Sequence, residues 1–148
     1  MKSFVYAFRG IIETIRNERN MRIHLCFACY VVLAGMITHI SQTEWAAVLI
    51  CIALVTALEC FNTALERLCD TACPEKSEGI RMAKDASAGA VLFAAIASAA
   101  VGGLIFFRTE KINAALDFLQ SNTALALVII LTLIPLALFV RGGKRERK

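Results

Sequence analysis

Four apolar runs, separated by short polar and charged stretches, set the pattern of the chain. They cover residues of about 25–40, 45–68, 86–107 and 123–140. Roughly 20 consecutive apolar residues cross a bilayer as a helix, so each run predicts a transmembrane helix. The first is short and takes its remaining length from flanking residues. Ahead of them, Phe4, Phe8, Ile11, Ile12 and Ile15 recur at helical spacing over residues 4–22. Lys2, Arg9, Glu13, Arg16 and Asn17 fall largely on the opposite side. An amphipathic helix next to a membrane span lies in the interface, and that placement is favoured here over an ordinary soluble helix. The fold class expected is an all-α integral membrane protein. It has an N-terminal interfacial helix, three core transmembrane helices and an extra C-terminal fourth.

Composition narrows this further. The 148 residues suit one domain. They are 58% hydrophobic, with a mean hydropathy of +0.65, more apolar surface than so small a soluble domain can bury. The net charge of +4 is better read segment by segment. Lys and Arg gather in the N-terminal segment, in the loop at 67–85 and in the tail Arg141-Gly-Gly-Lys-Arg-Glu-Arg-Lys148, whereas the turn at 38–44 has none. The positive-inside rule then places both termini in the cytoplasm, with Arg108 and Lys111 of the outer 108–122 stretch as a mild counter-signal. Basic flanks of apolar spans meet anionic lipid heads rather than nucleic acid. Cys26, Cys29, Cys51, Cys60, Cys69 and Cys73 lack both the secreted context of a disulfide framework and the paired spacing of a zinc site. They read as small apolar side chains. No cleavable signal is expected, because the first 22 residues carry charge throughout.

The second span carries the chemistry. It reads Leu58-Glu-Cys-Phe-Asn-Thr-Ala-Leu-Glu-Arg-Leu-Cys-Asp70. At 100° per residue, Asn62, Glu66 and Asp70 lie at about −60°, −20° and +20° from Glu59. The four share one face, in a stripe of roughly 16 Å from near mid-membrane to the cytoplasmic surface. An acidic residue at membrane depth costs about 2.5–3.5 kcal/mol even on the gentler scale. A polar stripe that merely glues helices would account for Asn62 but not for Glu59 with Glu66. Lys84 and Asp85 stand where the third span enters, and Glu18 ends the interfacial helix in Asn17-Glu-Arg-Asn20. Carboxylates and a lysine gathered at one surface suit Mg²⁺ and the phosphates of a nucleotide, and the deeper Glu59 could take a proton from a lipid hydroxyl where burial raises its pKa, a layout for phosphoryl transfer. Ala90, Ala94, Ser98 and Gly102 repeat every four residues, a pattern that lets helices approach closely. The chain has no Walker A or Gly-x-Gly-x-x-Gly loop; Gly142-Gly-Lys144 lacks the strand and helix that frame one. His24 and His39 read as interfacial polar residues.

Four stretches resemble the prokaryotic diacylglycerol kinase and undecaprenol kinase family. They are Tyr6-Ala-Phe-Arg-Gly10, Glu18-Arg-Asn-Met-Arg-Ile-His24, Glu59-Cys-Phe-Asn-Thr-Ala-Leu-Glu66 with Asp70, and Ala83-Lys-Asp-Ala-Ser-Ala-Gly-Ala-Val91. The resemblance covers residues 3–107. It implies ATP-dependent phosphorylation of a membrane lipid alcohol in the bacterial inner membrane by a homotrimer, with active sites between protomers. It further implies Glu59 as the general base, Asn62 as a site-orienting residue, Glu18 and Glu66 as Mg²⁺ ligands, and Asp70 in support. Tyr6, Lys84 and Asp85 match nucleotide-contacting positions, and Glu75 to Ser77 a loop near the nucleotide. The motif style resembles the undecaprenol kinase branch, which implies a polyprenol acceptor; diacylglycerol is the alternative. A non-catalytic membrane subunit or a small transporter stands further off. The chain departs from the family in its extension, residues 108–148, which follows a kinase unit of residues 1–107, and in His24, where some members carry a carboxylate.

Overall fold

A computed structural model describes residues 2–72 and 77–142. Among these the elements are α1 (Lys2–Asn17), α2 (Arg19–Ile37), α3 (Gln42–Ala72), α4 (Glu78–Phe106), α5 (Thr109–Ser121), α6 (Thr123–Leu131) and α7 (Leu133–Arg141). Four stretches are long and apolar enough to cross a membrane: α2, α3, α4 and Thr123–Arg141. Their mean hydropathies rise from 1.5 in α2 to 2.8 in the last. The protein is an all-α membrane protein.

The single helix expected over 4–22 is divided. Glu18 adopts extended backbone (φ −99°, ψ 120°) and separates α1 from α2. No glycine or proline marks this elbow. It is held from a distance by Arg22, whose Nη1 donates to the carbonyls of Ile15 and Arg16 at 3.0 Å each. The apolar side of α1, with Phe4, Val5 and Phe8, stays exposed, as an interfacial helix requires.

The α2–α3 turn is built from caps. His39 takes a left-handed conformation (φ 49°). Its N–H donates to Met36, and that of Ile40 reaches the Gly35 carbonyl at 3.2 Å, which closes a Schellman arrangement. Ser41 and Glu44 then cap α3 reciprocally. The Ser41 N–H donates to Glu44 Oε2 at 2.7 Å and the Glu44 N–H to Ser41 Oγ at 3.3 Å. Ile40, Val48 and Ile105 form the core at this end, with Trp45, Ile52 and Val101 packed on them. Trp45 therefore folds over α2 as well as marking the span's end. A Cβ at Gly35 would stand 2.9 Å from both Ile40 Cδ1 and Trp45 Cη2, so the turn closes only on a glycine. Gly35→Ala is expected to destabilise the fold by about 1–3 kcal/mol. Denaturant titration in mixed micelles, followed by Trp45 fluorescence, would read this; an unchanged midpoint would contradict it.

The long helices α3 and α4 make the most extensive pairing, and α2 packs on α3. The buried side of α3 comprises Val48, Val55, Glu59, Asn62, Thr63 and Cys69; that of α4 comprises Ser87, Val91, Ala94 and Ile105. The small-residue repeat of α4 only partly follows this seam. Ala94 is buried, but Ala90 is exposed, and a Cβ at Gly102 would meet nothing within 4 Å.

The 108–122 stretch, expected to be merely polar, is helical. Ile112, Ala115, Leu116 and Leu119 recur every three to four residues along α5. Arg108 pairs with Glu44 at 3.2 Å, and Lys111 Nζ donates to the carbonyls of Thr38 and His39 at 3.1 and 3.0 Å. The last apolar run is interrupted at Thr132, because Pro135 has no N–H for the Leu131 carbonyl. It lies antiparallel to α2: Tyr30 meets Thr132, and Arg22 meets Val140.

Candidate active site

The polar face anticipated on α3 forms, and it is graded in depth. Glu59 is 2% exposed and Asn62 9% exposed, Glu66 is half-buried and Asp70 is exposed. Spacing along one helix fixes this order. The neighbours decide what each group meets.

Glu59 sits against α2. Its Oε1 has no hydrogen-bond partner among the described residues and lies 4.0 Å from His24 Nε2, beyond hydrogen-bond length. Glu18 and Glu66 are close enough for their charges to act on it. Three carboxylates from the α1–α2 elbow and α3 thus share one electrostatic environment. A buried carboxylate oxygen without a donor is costly, and a hydroxyl brought to it would supply what is missing.

Asn62 links α3 to α4. Its Nδ2 donates to Glu66 Oε1, one turn on, at 3.2 Å, and its Oδ1 accepts from Ser87 Oγ at 2.6 Å. The Ser87 hydroxyl also lies 2.9 Å from the Lys84 carbonyl. The relay Ser87–Asn62–Glu66 ties the Glu66 carboxylate to the helix that bears Lys84. Ser87 was not picked out from sequence. Its signal was its place three residues after Lys84, a hydroxyl in an otherwise apolar run.

Lys84 forms an ion pair with Asp70, which ties the far end of the α3 stripe to α4. Asp85 is on the outer side of α4, paired with Arg81 at 3.1 Å, and Arg81 also pairs with Glu78. Ser77 caps α4 by accepting from the Ile80 N–H at 3.3 Å. Tyr6 is 62% exposed on α1 and makes no hydrogen bond to these groups among the described residues. Glu75 lies outside the described residues. The fold therefore brings together Glu18, Glu59, Asn62 and Glu66 with Lys84 and Asp70, and leaves Tyr6, Ser77 and Asp85 at the surface of the protomer. Arg67 adds a brace, pairing with Glu13 of α1 at 3.2 Å.

Among the described residues, no three carboxylate, histidine or cysteine side chains converge into a ready-made cation site. Mg²⁺ that arrives on phosphate needs fewer protein ligands, commonly one or two carboxylates with water and phosphate oxygens completing an octahedron. The oxygen donors of Glu18 and Glu66 are of the right chemistry for that. Nearby Lys84 adds a compact cation suited to phosphate.

Residues 5–106 match the family described as prokaryotic diacylglycerol kinase. The chain is 42% identical over 105 residues to the undecaprenol kinase of Bacillus subtilis, an alignment covering 71% of this chain and 85% of that one. It is 39% identical over 104 residues to a diacylglycerol kinase of Synechocystis, covering 70% of this chain and 59% of the relative. Against the diacylglycerol kinase of Haemophilus influenzae the identity is 30% over 109 residues, covering 72% and 92%. No solved structure matches the chain significantly.

Proposed function

The chain belongs to the prokaryotic diacylglycerol kinase family, and from that premise we propose that it phosphorylates undecaprenol at the cytoplasmic face of the bacterial inner membrane. That it is a membrane lipid kinase using ATP follows from the family; the acceptor, the metal, the residue roles and the assembly are the proposal. The observation that carries the chemistry is the buried Glu59 carboxylate, with one oxygen lacking a donor among the described residues, beside Glu18 and Glu66.

In this reading the primary hydroxyl of the lipid donates its hydrogen bond to Glu59. As the hydroxyl oxygen bonds to the γ-phosphorus, its proton passes to Glu59, and the bond from the γ-phosphorus to the bridging oxygen breaks to release ADP. Glu18 and Glu66 would hold Mg²⁺, which would supply charge neutralisation for the phosphate oxygens. Asn62, fixed by Ser87, keeps Glu66 aimed at that position. Lys84 faces the phosphates, and Asp70 sets its position through their ion pair. Tyr6, Glu75, Ser77 and Asp85 contact the nucleotide. A homotrimer would bring the exposed Tyr6 and Asp85 to a neighbouring protomer's carboxylates. The kinase unit is residues 1–107, with 108–148 as an extension. Both termini face the cytoplasm, in keeping with the basic N-terminal segment and tail.

Undecaprenol is favoured by the 42% identity to an undecaprenol kinase. The names of the other two relatives favour diacylglycerol. Purified protein in lipid micelles with Mg-ATP should give labelled undecaprenyl phosphate at a rate at least about tenfold above phosphatidic acid, a difference of about 1.4 kcal/mol between acceptors. The reverse preference would reassign the acceptor to diacylglycerol. Folded protein that phosphorylates neither would remove the catalytic reading.

A further inference from the structure

Arg22 is a buried charge. It is 4% exposed, and among the described residues no carboxylate pairs with it. Its guanidinium instead joins the C-terminal ends of two helices. Nη1 donates to Ile15 and Arg16 in the last turn of α1, while Nε and Nη2 donate to the Val140 carbonyl in the last turn of α7 at 3.4 and 3.3 Å. A helix C-terminus carries roughly half a negative charge on its unpaired carbonyls. Two such ends around one fixed, forked cation satisfy a charge that would be costly to bury unpaired.

The second helix belongs to the C-terminal extension, and the extension is fastened along the whole of α2. At one end Lys111 caps the α2 carbonyls of the Thr38–His39 turn. In the middle, Tyr30 and Thr132 lie 2.9 Å apart. Thr132 already donates to the Ile129 carbonyl at 2.6 Å, so Tyr30 is the donor. At the other end sits Arg22, four residues from Glu18.

We propose that the C-terminal extension is a strut that, through Arg22, fixes the α1–α2 elbow and with it the Glu18 carboxylate. Arg22 is a positioning residue: it holds the α1 carbonyls on one side and the end of α7 on the other. The elbow has no glycine, proline or side-chain cap of its own; besides the Glu18 N–H to Thr14 carbonyl bond at 2.8 Å, the Arg22 contacts hold it and tie it to α7. The link to catalysis rests on the proposed role of Glu18; the link between α7 and the elbow does not.

The test shifts α7 without touching the kinase unit. One glycine inserted after Thr132 turns α7 by about 100° and moves it about 1.5 Å, which takes the Val140 carbonyl away from Arg22. Amide hydrogen exchange over residues 14–22 is then compared with wild type in micelles, with KM for Mg-ATP and kcat measured on the same samples. The expected result is about tenfold faster exchange at the elbow, with KM raised several-fold and kcat within about twofold. Unchanged exchange in protein of unchanged helix content overturns the strut. Faster exchange with an unchanged KM overturns its link to Glu18. Arg22→Lys, which keeps the charge but cannot span both helix ends, should loosen the elbow in the same way. It decides the matter if the insertion variant fails to fold. Loosening by Arg22→Lys alone, with the insertion variant folded and silent, would confine Arg22 to α1 and also overturn the strut. If wild type phosphorylates no lipid, the functional reading fails, and the exchange comparison still judges the strut.

Discussion

Glu59→Gln is expected to lower kcat by about 10²–10⁴-fold, the usual contribution of a general base, while Mg-ATP affinity stays within about threefold. The amide keeps the volume and shape of the carboxylate, so the buried seam between α2 and α3 should remain packed. What it loses is the ability to accept a proton. Glu59 is the most deeply buried of the acidic side chains on α3, and its Oε1 is the buried side-chain oxygen without a partner among the described residues. It lies 4.0 Å from His24 Nε2, too far for a hydrogen bond. Rapid-quench turnover and equilibrium nucleotide binding on the same preparation separate the two effects. Near-normal turnover would remove Glu59 from proton transfer.

The complementary change is Glu66→Gln. Here Mg-ATP binding itself should weaken, by about ten- to a hundredfold, as expected when a charge-assisted contact is lost from a partly buried site. Glu66 already accepts from Asn62, so the neutral amide would retain much of that geometry but not the negative charge. Raising Mg²⁺ should recover part of the loss, and calorimetric titration at two Mg²⁺ concentrations would show it. If both variants impair binding and turnover in the same proportion, the division between proton acceptor and metal ligand is wrong.

The stripe on α3 was legible because a single helix fixes angles between its own residues. Glu59, Asn62, Glu66 and Asp70 needed only the 100° step to be placed together, and the burial gradient follows their order. What one helix contacts on another was not legible. The approach of His24 to Glu59, the hydroxyl of Ser87 on Asn62 and the pairing of Lys84 with Asp70 depend on how three helices rotate against each other. The elbow at Glu18 carried only a weak local signal: Glu and Arg continue helices readily, while Asn17 and Asn20 on either side of it are poorer helix formers; the Arg22 contacts to the end of α1 come from the fold. Three other features carry local signals. Ser41-x-x-Glu44 has the spacing of a capping box, and the apolar positions of α5 recur at helical intervals. Pro135 likewise marks the interruption at Thr132.

The length of α3 has a consequence for where the two substrates meet. Thirty-one residues make a rod of about 46 Å, well beyond the ~30 Å of a hydrocarbon slab. With Gln42 at one boundary, Glu59 lies about 26 Å along the rod, still just on the oily side of the other boundary, and Glu66 lies about 36 Å along it, among the headgroups. On the roles proposed for them, the proton acceptor would then be dry and the phosphate end wet. The lipid need not lift its hydroxyl into water, and the nucleotide need not enter oil. A thicker bilayer would draw Glu66 into the slab and a thinner one would flood Glu59, so on the proposed roles membrane thickness would set whether the two halves of the reaction share a boundary.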